Sequence, residues 1–540
     1  MLIEKIKMNK MPIILALIHW FLLMIFQVDR NFFVYTHENT PMVISKILSL
    51  FLVEFLWILF FDLYKGYKEK DSFATRFLNV FGFYSLLISF LLLLVWPGTW
   101  SWDDIWVLSG SQYYRVGAWQ HFLSSYEQLI FLQLFPSPGG LILVRNLFIA
   151  LIVAYSVCKI EKTFAIDFRP FHNYWLGTFL KILPFLFPPI LIYQFSGYRI
   201  GFYVYLELLM VVIMICSIKG TYHWTTFRVI IFSLLVSVCA CWRSESIFYV
   251  ILGILFYGKF RNPTFTRKLR IMGVVLVVLM TGGLTQYQSN KLGNSNYQLI
   301  STLGPGVELI RHADLEKDQD ALAQISNIVH VDMVRAEPEK EGEIIYWEYK
   351  DYKRNYTKQE YREYLKGFFI LCKRYPEVVW NERLLMFKRT AGIKEKSING
   401  VDGAVAIYNL AKGNSNYRAL ESIKTGNKYP VFKRMRERTI KAMGMERNGK
   451  VVQPLYSIVW NIIVPLLVLL GGFGALLWKR KWQLAVILAF ILLKIPAVFV
   501  SAPSNWFMYY MSFYFLGYTL LVYYILYYLA RRKEKRTNAR

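Results

Sequence analysis

The chain has 540 residues, of which 55% are hydrophobic, and its mean hydropathy is +0.34. Charged residues occupy 18% of positions, below the roughly 25% of a soluble protein, which argues against a soluble globular protein. The apolar residues form ten blocks near the roughly 17–25 residues that cross a bilayer as a helix. These blocks are Ile13–Val28, Ile44–Phe61, Phe77–Trp96, Leu141–Val157, Tyr174–Tyr193, Gly201–Ile218, Ile271–Gln286, Ile458–Trp478, Leu484–Val500 and Phe507–Leu529. They predict an all-α polytopic membrane protein with about 11–13 membrane helices.

The formal net charge of +27 is distributed as in a membrane protein rather than a nucleic-acid-binding protein. Much of it lies in short loops and tails beside the apolar blocks, at Lys5, Lys7, Lys10, Lys65, Lys68, Lys70, Lys479, Arg480, Lys481, Arg531, Arg532, Lys533, Lys535 and Arg536. Basic residues in short loops are typical of the cytoplasmic side of a membrane protein. The distribution predicts cytoplasmic amino and carboxyl termini, contact with anionic membrane lipid and no nucleic-acid partner.

The five cysteines do not have the spacing of a disulfide framework. They are Cys158, Cys216, Cys239, Cys241 and Cys372. The sequence also lacks a Cys/His spacing typical of a metal site, so no metal ligands are predicted. The cofactor is therefore unknown, and the sequence gives no indication for or against a divalent cation.

Placing the basic loops in the cytoplasm divides the chain into four segments. Residues 1–76 hold two membrane helices, and residues 77–287 form a membrane core with one long outer loop, Thr99–Gly140. Residues 288–453 are polar and predict one mostly helical domain outside the cytoplasm, since long domains translocate regardless of their charge. Residues 454–540 contain the last membrane helices and a basic cytoplasmic tail.

The outer loop begins with an acidic pair, Asp103 and Asp104, directly after the third membrane helix. Ser101 followed by Asp104 matches a capping box, and an acidic pair suits the positive end of a helix dipole. The alternative is that one carboxylate, held at the membrane surface, acts as general base on an acceptor hydroxyl. His121 and Glu127 lie in the same loop and are candidates for substrate binding.

Arg243 and Glu245 interrupt a predicted hairpin, Val229–Phe260, whose two apolar arms are each shorter than a full crossing. Both ends of the hairpin are basic, so both are predicted to be cytoplasmic. Ionisable residues at bilayer depth face a cavity or a partner. Two interpretations stay open: the two residues pair with each other, or Arg243 binds an anionic head group through its planar guanidinium.

Arg145, Lys494 and Tyr509 are the remaining candidates for substrate binding. Arg145, like Arg199, lies at the outer end of a helix, and Lys494 lies in the outward part of its span. Contact with a phosphate is one interpretation of these cations, and snorkelling to the interface is the other. Tyr509 suits either an interfacial aromatic belt or a stacking surface for a sugar.

The order of these features resembles the GT-C superfamily of membrane glycosyltransferases, which includes the protein mannosyltransferases and the lipopolysaccharide-modifying sugar transferases. The shared pattern covers Phe77–Phe260: an outward span ending in an acidic pair, interfacial helices with a His, and an inward span with an Arg. Pro97–Asp104 and Trp242–Glu245 are similar to segments of an uncharacterised membrane-protein family from Gram-positive bacteria. His121-Phe122 stands where the superfamily commonly has His-Pro-Pro, two spans precede the expected first one, and no second acidic motif is visible.

The resemblance implies a bacterial cell-membrane enzyme that transfers a sugar, with inversion at the anomeric carbon, from a polyprenyl-phosphate donor. The acceptor would be a cell-surface glycan, lipid or cell-wall polymer on the outer face. Asp103 or Asp104 would be the catalytic base, and Arg243, Arg145 and Lys494 would face the lipid phosphate. The alternatives are a transporter or flippase for lipid-linked saccharides, and a polymerase or ligase that uses the same donor type.

Overall fold

The computed structural model describes residues 10–26, 31–35, 39–164, 174–260, 262–293, 296–348, 351–393, 413–428, 433–444, 446–447 and 450–538. Within these ranges the regular structure is helical, apart from a two-stranded antiparallel pair and one isolated bridge. This architecture confirms the prediction of a helical polytopic membrane protein.

The first half of the chain forms a helical bundle. Its helices are α1 (Met11–Ile25), α2 (Asn39–Lys68), α3 (Ser72–Leu94), α4 (Trp102–Gln112), α5 (Phe122–Leu134), α6 (Pro138–Phe164), α7 (Tyr174–Ile182), α8 (Pro188–Gln194), α9 (Ile200–Ile218), α10 (Thr226–Cys241), α11 (Tyr249–Lys259) and α12 (Arg267–Leu292). Short 3-10 turns, Leu183–Leu186 and Ser244–Ser246, join α7 to α8 and α10 to α11.

The polar segment follows, and the chain then returns to the bundle. The polar segment contains a 3-10 turn (Asn296–Leu299), α13 (Ile300–His312), α14 (Gln319–Ser326), α15 (Val331–Ala336), α16 (Gly342–Glu348), α17 (Lys358–Arg374), α18 (Pro376–Thr390), α19 (Tyr417–Lys428), α20 (Lys433–Met443), β1 (Glu446–Arg447) and β2 (Lys450–Val451). The last helices are α21 (Gln453–Val459), α22 (Ile463–Trp478), α23 (Trp482–Leu492), α24 (Lys494–Ser501) and, after a 3-10 turn (Phe507–Tyr510), α25 (Met511–Asn538).

Eight stretches of the described chain are long and apolar enough to cross a bilayer. They lie in α2, α3, α6, α9, α12, α21 with α22, α23 with α24, and the last 3-10 turn with α25. The bent pair α7 and α8, which meet at 70°, makes a ninth if the pair is one span. The predicted total of about 11–13 also included α1 and the arms of the hairpin. These helices are apolar, but α1 has 15 residues and α10 has 16, so both are shorter than the helices counted as candidate membrane spans.

The predicted hairpin is present as α10 and α11. Its two ends lie together, because the Trp224 N–H, before α10, donates a hydrogen bond to Thr264 Oγ1, after α11, at 2.9 Å. Asn262 donates to the carbonyl of Ser217 at 2.8 Å, which fixes the exit of α11 beside the end of α9. The turn at the tip, Ser244–Ser246, therefore points away from these loops and into the other end of the bundle.

The loop 99–140 is packed into the bundle rather than exposed on its surface. Its second helix, α5, is buried along most of its length and packs against α2, α4 and α6. With 13 residues α5 is too short to cross a bilayer, which agrees with the prediction that this stretch does not span.

The polar segment, predicted as one domain over 288–453, packs in two different ways. Residues between 299 and 371, in α13–α17, enclose a hydrophobic core of their own. By contrast, Met386 of α18, Leu420 of α19 and Met443 of α20 belong to the large core of the bundle. The later helices of the segment therefore fasten it to the membrane helices, and its independent core is smaller than the predicted domain.

Candidate active site

A cavity of about 480 Å³ lies where the bundle meets the polar segment. Its wall is formed by the start of α4, the loops before α5 and α9, the tip of the α10–α11 hairpin, α13 and α16, and the chain from α24 to Tyr509. Its charged lining residues are Asp103, Arg199, Arg243, Glu245 and Glu343. Its aromatic lining residues are Trp119, Tyr198, Phe248, Trp347, Trp506 and Tyr509. The cavity thus combines carboxylates, guanidinium groups and aromatic rings.

Asp104 caps α4 and does not line the cavity. Its Oδ1 accepts a hydrogen bond from the Ser101 N–H at 2.6 Å, and its Oδ2 accepts one from the Gly197 N–H at 2.8 Å. The capping box predicted from Ser101 and Asp104 is therefore present. Burial raises the pKa of Asp104 to about 7, although the two N–H donors act in the opposite direction. Asp104 fixes the start of α4 against the loop before α9.

Asp103, one position earlier, faces the cavity and is half-buried. Burial raises the pKa of its carboxyl to about 7, while the positive charge of Arg199 and the polar side chain of Gln120 act to lower it. A carboxyl that titrates near neutral pH can accept a proton and release it again under the same conditions. Of the acidic pair, Asp103 is thus the member that lines the cavity and whose carboxyl titrates near neutral pH.

Arg199 connects three walls of the cavity. Its Nη1 donates hydrogen bonds to the backbone carbonyls of Gln120, at 2.6 Å, and Trp242, at 2.9 Å. The loop that carries Arg199 is itself attached to the start of the outer loop, because Thr99 N–H donates to the carbonyl of Phe195 at 2.9 Å. The guanidinium therefore holds a fixed position at the cavity and contributes positive charge beside Asp103.

Glu343, in the first turn of α16, brings a second carboxylate to the cavity from the polar segment. Burial is the largest cause that raises its pKa to about 7, and repulsion by Asp103 adds to it. The polar side chains of Ser504 and Trp506 act in the opposite direction. Asp103 and Glu343 are therefore close enough for the ionisation of one carboxyl to affect the other.

The tip of the hairpin supplies two further charged groups. Arg243 forms an ion pair with Glu245, and both residues line the cavity. The Arg243 guanidinium also lies 5.9 Å from the centre of the Tyr509 ring, within the range of a cation–π contact. The structure therefore contains the ion pair between Arg243 and Glu245 that was one of the two predictions. The other prediction, that Arg243 binds an anion, is compatible with its position in the cavity.

Two tryptophans form an aromatic corner of the cavity. Trp119, in the outer loop, and Trp347, on α16, meet edge to face with ring centres 5.4 Å apart and planes at 86°. One ring belongs to the bundle and the other to the polar segment, so this contact joins the two parts beside the charged groups. Flat aromatic faces next to polar groups are common in small-molecule sites.

Comparison with models of protein families, with curated protein sequences and with solved structures finds no significant match for this chain. The assignment of the cavity therefore depends on its own residues. Of the residues predicted for the site, the cavity contains Asp103, Arg243, Glu245 and Tyr509. Among the described residues, no group of three or more His, Cys, Asp or Glu could hold a metal ion.

His121, Glu127 and Arg145 lie behind the cavity and do not line it. His121 caps α5, with Nδ1 accepting from the Leu123 N–H at 3.4 Å, and its pKa is lowered to about 3, first by burial and then by Arg199. Arg145 binds both carboxylate oxygens of Glu127, at 2.7 and 2.8 Å. Its Nη1 donates to the carbonyl of Ser196 at 2.6 Å. These residues support the loop that holds Asp104 and Arg199.

Lys494 is also buried away from the cavity. Its Nζ contacts Glu207 Oε1 at 2.6 Å and donates to Ser512 Oγ at 3.1 Å and Tyr203 OH at 3.2 Å. A buried lysine with a carboxylate and two hydroxyl partners is satisfied internally. It neither snorkels to an interface nor faces the cavity, so neither interpretation from the sequence describes it.

Glu343, Trp119 and Trp347 were not predicted as site residues. Glu343 stands in a polar segment with many acidic residues, and no local pattern separates it from the exposed Glu339 or Glu341. For Trp119 the sequence contained one weak indication of a role in the site: it lies two residues before His121, in the outer loop that also holds Asp103. Long-range packing, which sequence periodicity does not report, brings these side chains to Asp103.

The raised pKa values of Asp103 and Glu343 predict that these groups make stability fall as pH rises from about 4 to 7. In this window the folded protein still holds protons that the unfolded chain has released. The double variant D103N/E343Q is therefore expected to lose less stability over this window than the wild type. Thermal unfolding midpoints measured from pH 4 to 8 in one detergent check this.

His121 has the opposite effect on stability below about pH 6.5, because its pKa is lowered in the fold. Both proteins contain His121, so the difference between them isolates the carboxyls. The exposed Glu339→Gln is the matched control and is expected to follow the wild type. Parallel curves for the wild type and the double variant would show that the two carboxyls titrate at their ordinary pKa values.

Proposed function

We propose that this protein is an integral membrane glycosyltransferase. In this proposal it moves a sugar from a polyprenyl-phosphate donor to a cell-surface glycan, lipid or cell-wall acceptor at the outer face of a bacterial membrane. The observation that carries the proposal is the half-buried Asp103, whose pKa is about 7, in a cavity that also contains Arg199 and Arg243. Sugar transfer from a lipid phosphate needs a base for the acceptor and positive charge for the leaving group.

Asp103 is the general base in the proposed reaction. The acceptor hydroxyl attacks the anomeric carbon and loses its proton to the Asp103 carboxylate. At the same time the bond between the anomeric carbon and the phosphate oxygen breaks, and the electron pair leaves with polyprenyl phosphate. Attack from the face opposite the phosphate inverts the configuration of the sugar. A base with a pKa near the working pH is the most effective in such a step.

Arg199 and Arg243 stabilise the leaving phosphate. Both guanidinium groups line the cavity that contains Asp103, where Arg243 is paired with Glu245 and Arg199 donates to two backbone carbonyls. A planar guanidinium is well suited to bind phosphate oxygens through charge-assisted hydrogen bonds. Because both groups are already held in place, little reorganisation is needed as negative charge develops on the phosphate.

The position of the cavity suits a substrate that is half lipid and half sugar. One side is lined by apolar residues of α24 and the hairpin, Ala497, Val498 and Phe248. The other side is lined by Glu343, Ser301 and Gln298 of the polar segment. A polyprenyl chain would extend along the first side toward the bilayer, and the acceptor would approach along the second.

The test uses the purified full-length protein in nanodiscs, with polyprenyl-phosphate donors that carry radiolabelled sugars and a cell-envelope acceptor fraction. We expect free polyprenyl phosphate to appear only when acceptor is present, together with label in the acceptor. The exposed-site variant Glu339→Gln serves as a protein control and is expected to keep the wild-type rate.

The same material separates the transferase from its alternatives. A flippase would move labelled lipid between leaflets and leave the donor intact. A polymerase or ligase would transfer a preassembled saccharide from a diphosphate-linked lipid and leave monosaccharide donors untouched. If every monophosphate donor stays intact with all acceptors, while either of these other activities is measured, the proposal is overturned.

A further inference from the structure

A second cavity, distant from the candidate active site, lies within the apolar part of the bundle. This slot of about 360 Å³ is formed by α2, α3, α5 and α6. It is lined by Leu56, Leu59, Phe60, Leu63, Tyr64, Tyr67, Leu78, Phe81, Leu134, Val144, Leu147, Phe148 and Leu151. Phe60 and Leu147 are 55% and 37% exposed, so the slot opens at the surface of the bundle. In a membrane this opening faces lipid.

A basic recess continues from one end of the slot. It is lined by Tyr67, Lys68, Lys70, Ser72, Thr75, Arg76, Asn79 and Tyr174. Tyr67 lines both the slot and the recess. Lys68 joins them as well, because its Nζ lies 4.7 Å from the ring centre of Tyr64, which lines the slot. The two cavities therefore form one continuous surface, apolar at one end and cationic at the other.

The recess lies at the level expected for a membrane interface. Tyr64, Tyr67, Tyr174 and Trp175 are exposed around it, and exposed Tyr and Trp mark the boundary between hydrocarbon and head groups. It is also at the far end of α3 from the candidate active site, since Ser72 begins that helix and Asp103 follows its end. The 23 residues of α3 separate the two sites by about 35 Å.

The lysines of the recess have few competing partners. Arg76 is committed to Glu161, at 2.8 Å, and to Thr178 Oγ1, at 2.8 Å. Among the residues that the structure describes, neither Lys68 nor Lys70 lies within ion-pair distance of a carboxylate. Both lysines are exposed at the mouth of the recess. Their charge is therefore available to an anion whose apolar part occupies the slot.

We propose that the slot and the recess together bind one anionic glycerophospholipid of the bilayer. One acyl chain occupies the slot, and the head-group phosphate lies against Lys68 and Lys70. A zwitterionic lipid with the same chains fills the slot equally well, but its ammonium group opposes the lysines. The bound lipid covers apolar surface shared by α2 with α3 and α6, so it stabilises the attachment of α2 to the rest of the bundle.

The experiment compares dioleoyl phosphatidylglycerol with dioleoyl phosphatidylcholine by native mass spectrometry of the full-length protein released from detergent. We expect phosphatidylglycerol to bind more tightly and to raise the thermal midpoint more than phosphatidylcholine does. The variant K68Q/K70Q should bind phosphatidylglycerol more weakly, by about fivefold for each charge removed. Its affinity for phosphatidylcholine should be unchanged.

Two further variants make the result specific. K479Q/K481Q removes two exposed lysines from the turn between α22 and α23, and it should bind both lipids as the wild type does. Leu147→Trp, which places a larger ring in the slot, should weaken the binding of both lipids. The proposal is overturned if K68Q/K70Q binds phosphatidylglycerol like the wild type, or if K479Q/K481Q loses as much affinity. Equal binding of the two lipids by the wild type would also overturn it.

Discussion

The variant Asp103→Asn is expected to lower the rate of sugar transfer by about 10²–10⁴, the usual contribution of a general base. The amide keeps the shape of the side chain but cannot take the proton of the acceptor hydroxyl. Because Asp103 faces the cavity and does not cap α4, the protein should stay folded, with a thermal midpoint close to that of the wild type. The rate is measured as release of labelled polyprenyl phosphate.

Asp104→Asn is the matched variant and should show the opposite pattern. Asp104 accepts from Ser101 N–H at one oxygen and from Gly197 N–H at the other, whereas an amide offers one acceptor oxygen. One buried N–H then loses its partner, at a cost of about 1–3 kcal/mol, and the thermal midpoint falls. A rate for D103N within twofold of the wild type would exclude Asp103 as the base. An unaltered midpoint for D104N would show that the cap contributes nothing.

Arg145→Met is expected to be the most destabilising single substitution considered, by about 3–5 kcal/mol. The side chain of Arg145 is fully buried, and its removal leaves the Glu127 carboxylate, 7% exposed, without its bidentate partner. The carbonyl of Ser196 loses a hydrogen bond at 2.6 Å in the same step. The measurement is the midpoint of unfolding by sodium dodecyl sulfate in mixed micelles.

The double variant R145M/E127L should recover part of that loss, because removing both charges avoids an unpaired carboxylate. Recovery is incomplete, since the backbone carbonyls that Arg145 contacts stay unsatisfied. Lys65→Met is the control: its partner Glu69 is 3.8 Å away and both side chains are exposed, so the change should be below about 1 kcal/mol. Equal effects of R145M and K65M would mean that the buried pair does not support the fold.

Local sequence patterns predicted several features of this protein that depend on neighbouring residues. Ser101 and Asp104 are three positions apart, and their capping box could be identified from that spacing alone. The short arms of Val229–Phe260 predicted a hairpin because neither arm is long enough to cross. Arg243 and Glu245 pair across one intervening residue. In each case the physical constraint acts within one or two helical turns.

The residues whose placement was missed depend on contacts between distant parts of the chain. Lys494 finds Glu207, 287 positions earlier, and the default expectation for a lone lysine in a span is snorkelling. Arg145 and Glu127 are 18 positions apart and on different helices. Glu343 reaches the cavity because α16 packs on α13, which leaves the bundle after α12. Hydrophobic periodicity locates helices but does not specify which of their polar side chains meet.

The separate core of residues 299–371 has a consequence for how such a protein can diverge. This compact unit is inserted between α12 and α18, and its interior side chains are independent of those in the bundle. It nevertheless contributes Glu343 and Trp347 to the rim of the cavity. Substitutions within the insert can therefore reshape one half of the rim while Asp103, Arg199 and Arg243 keep their supports. A chain built in this way can change one side of its cavity by recombination of one module, without rebuilding the bundle that supports the other side.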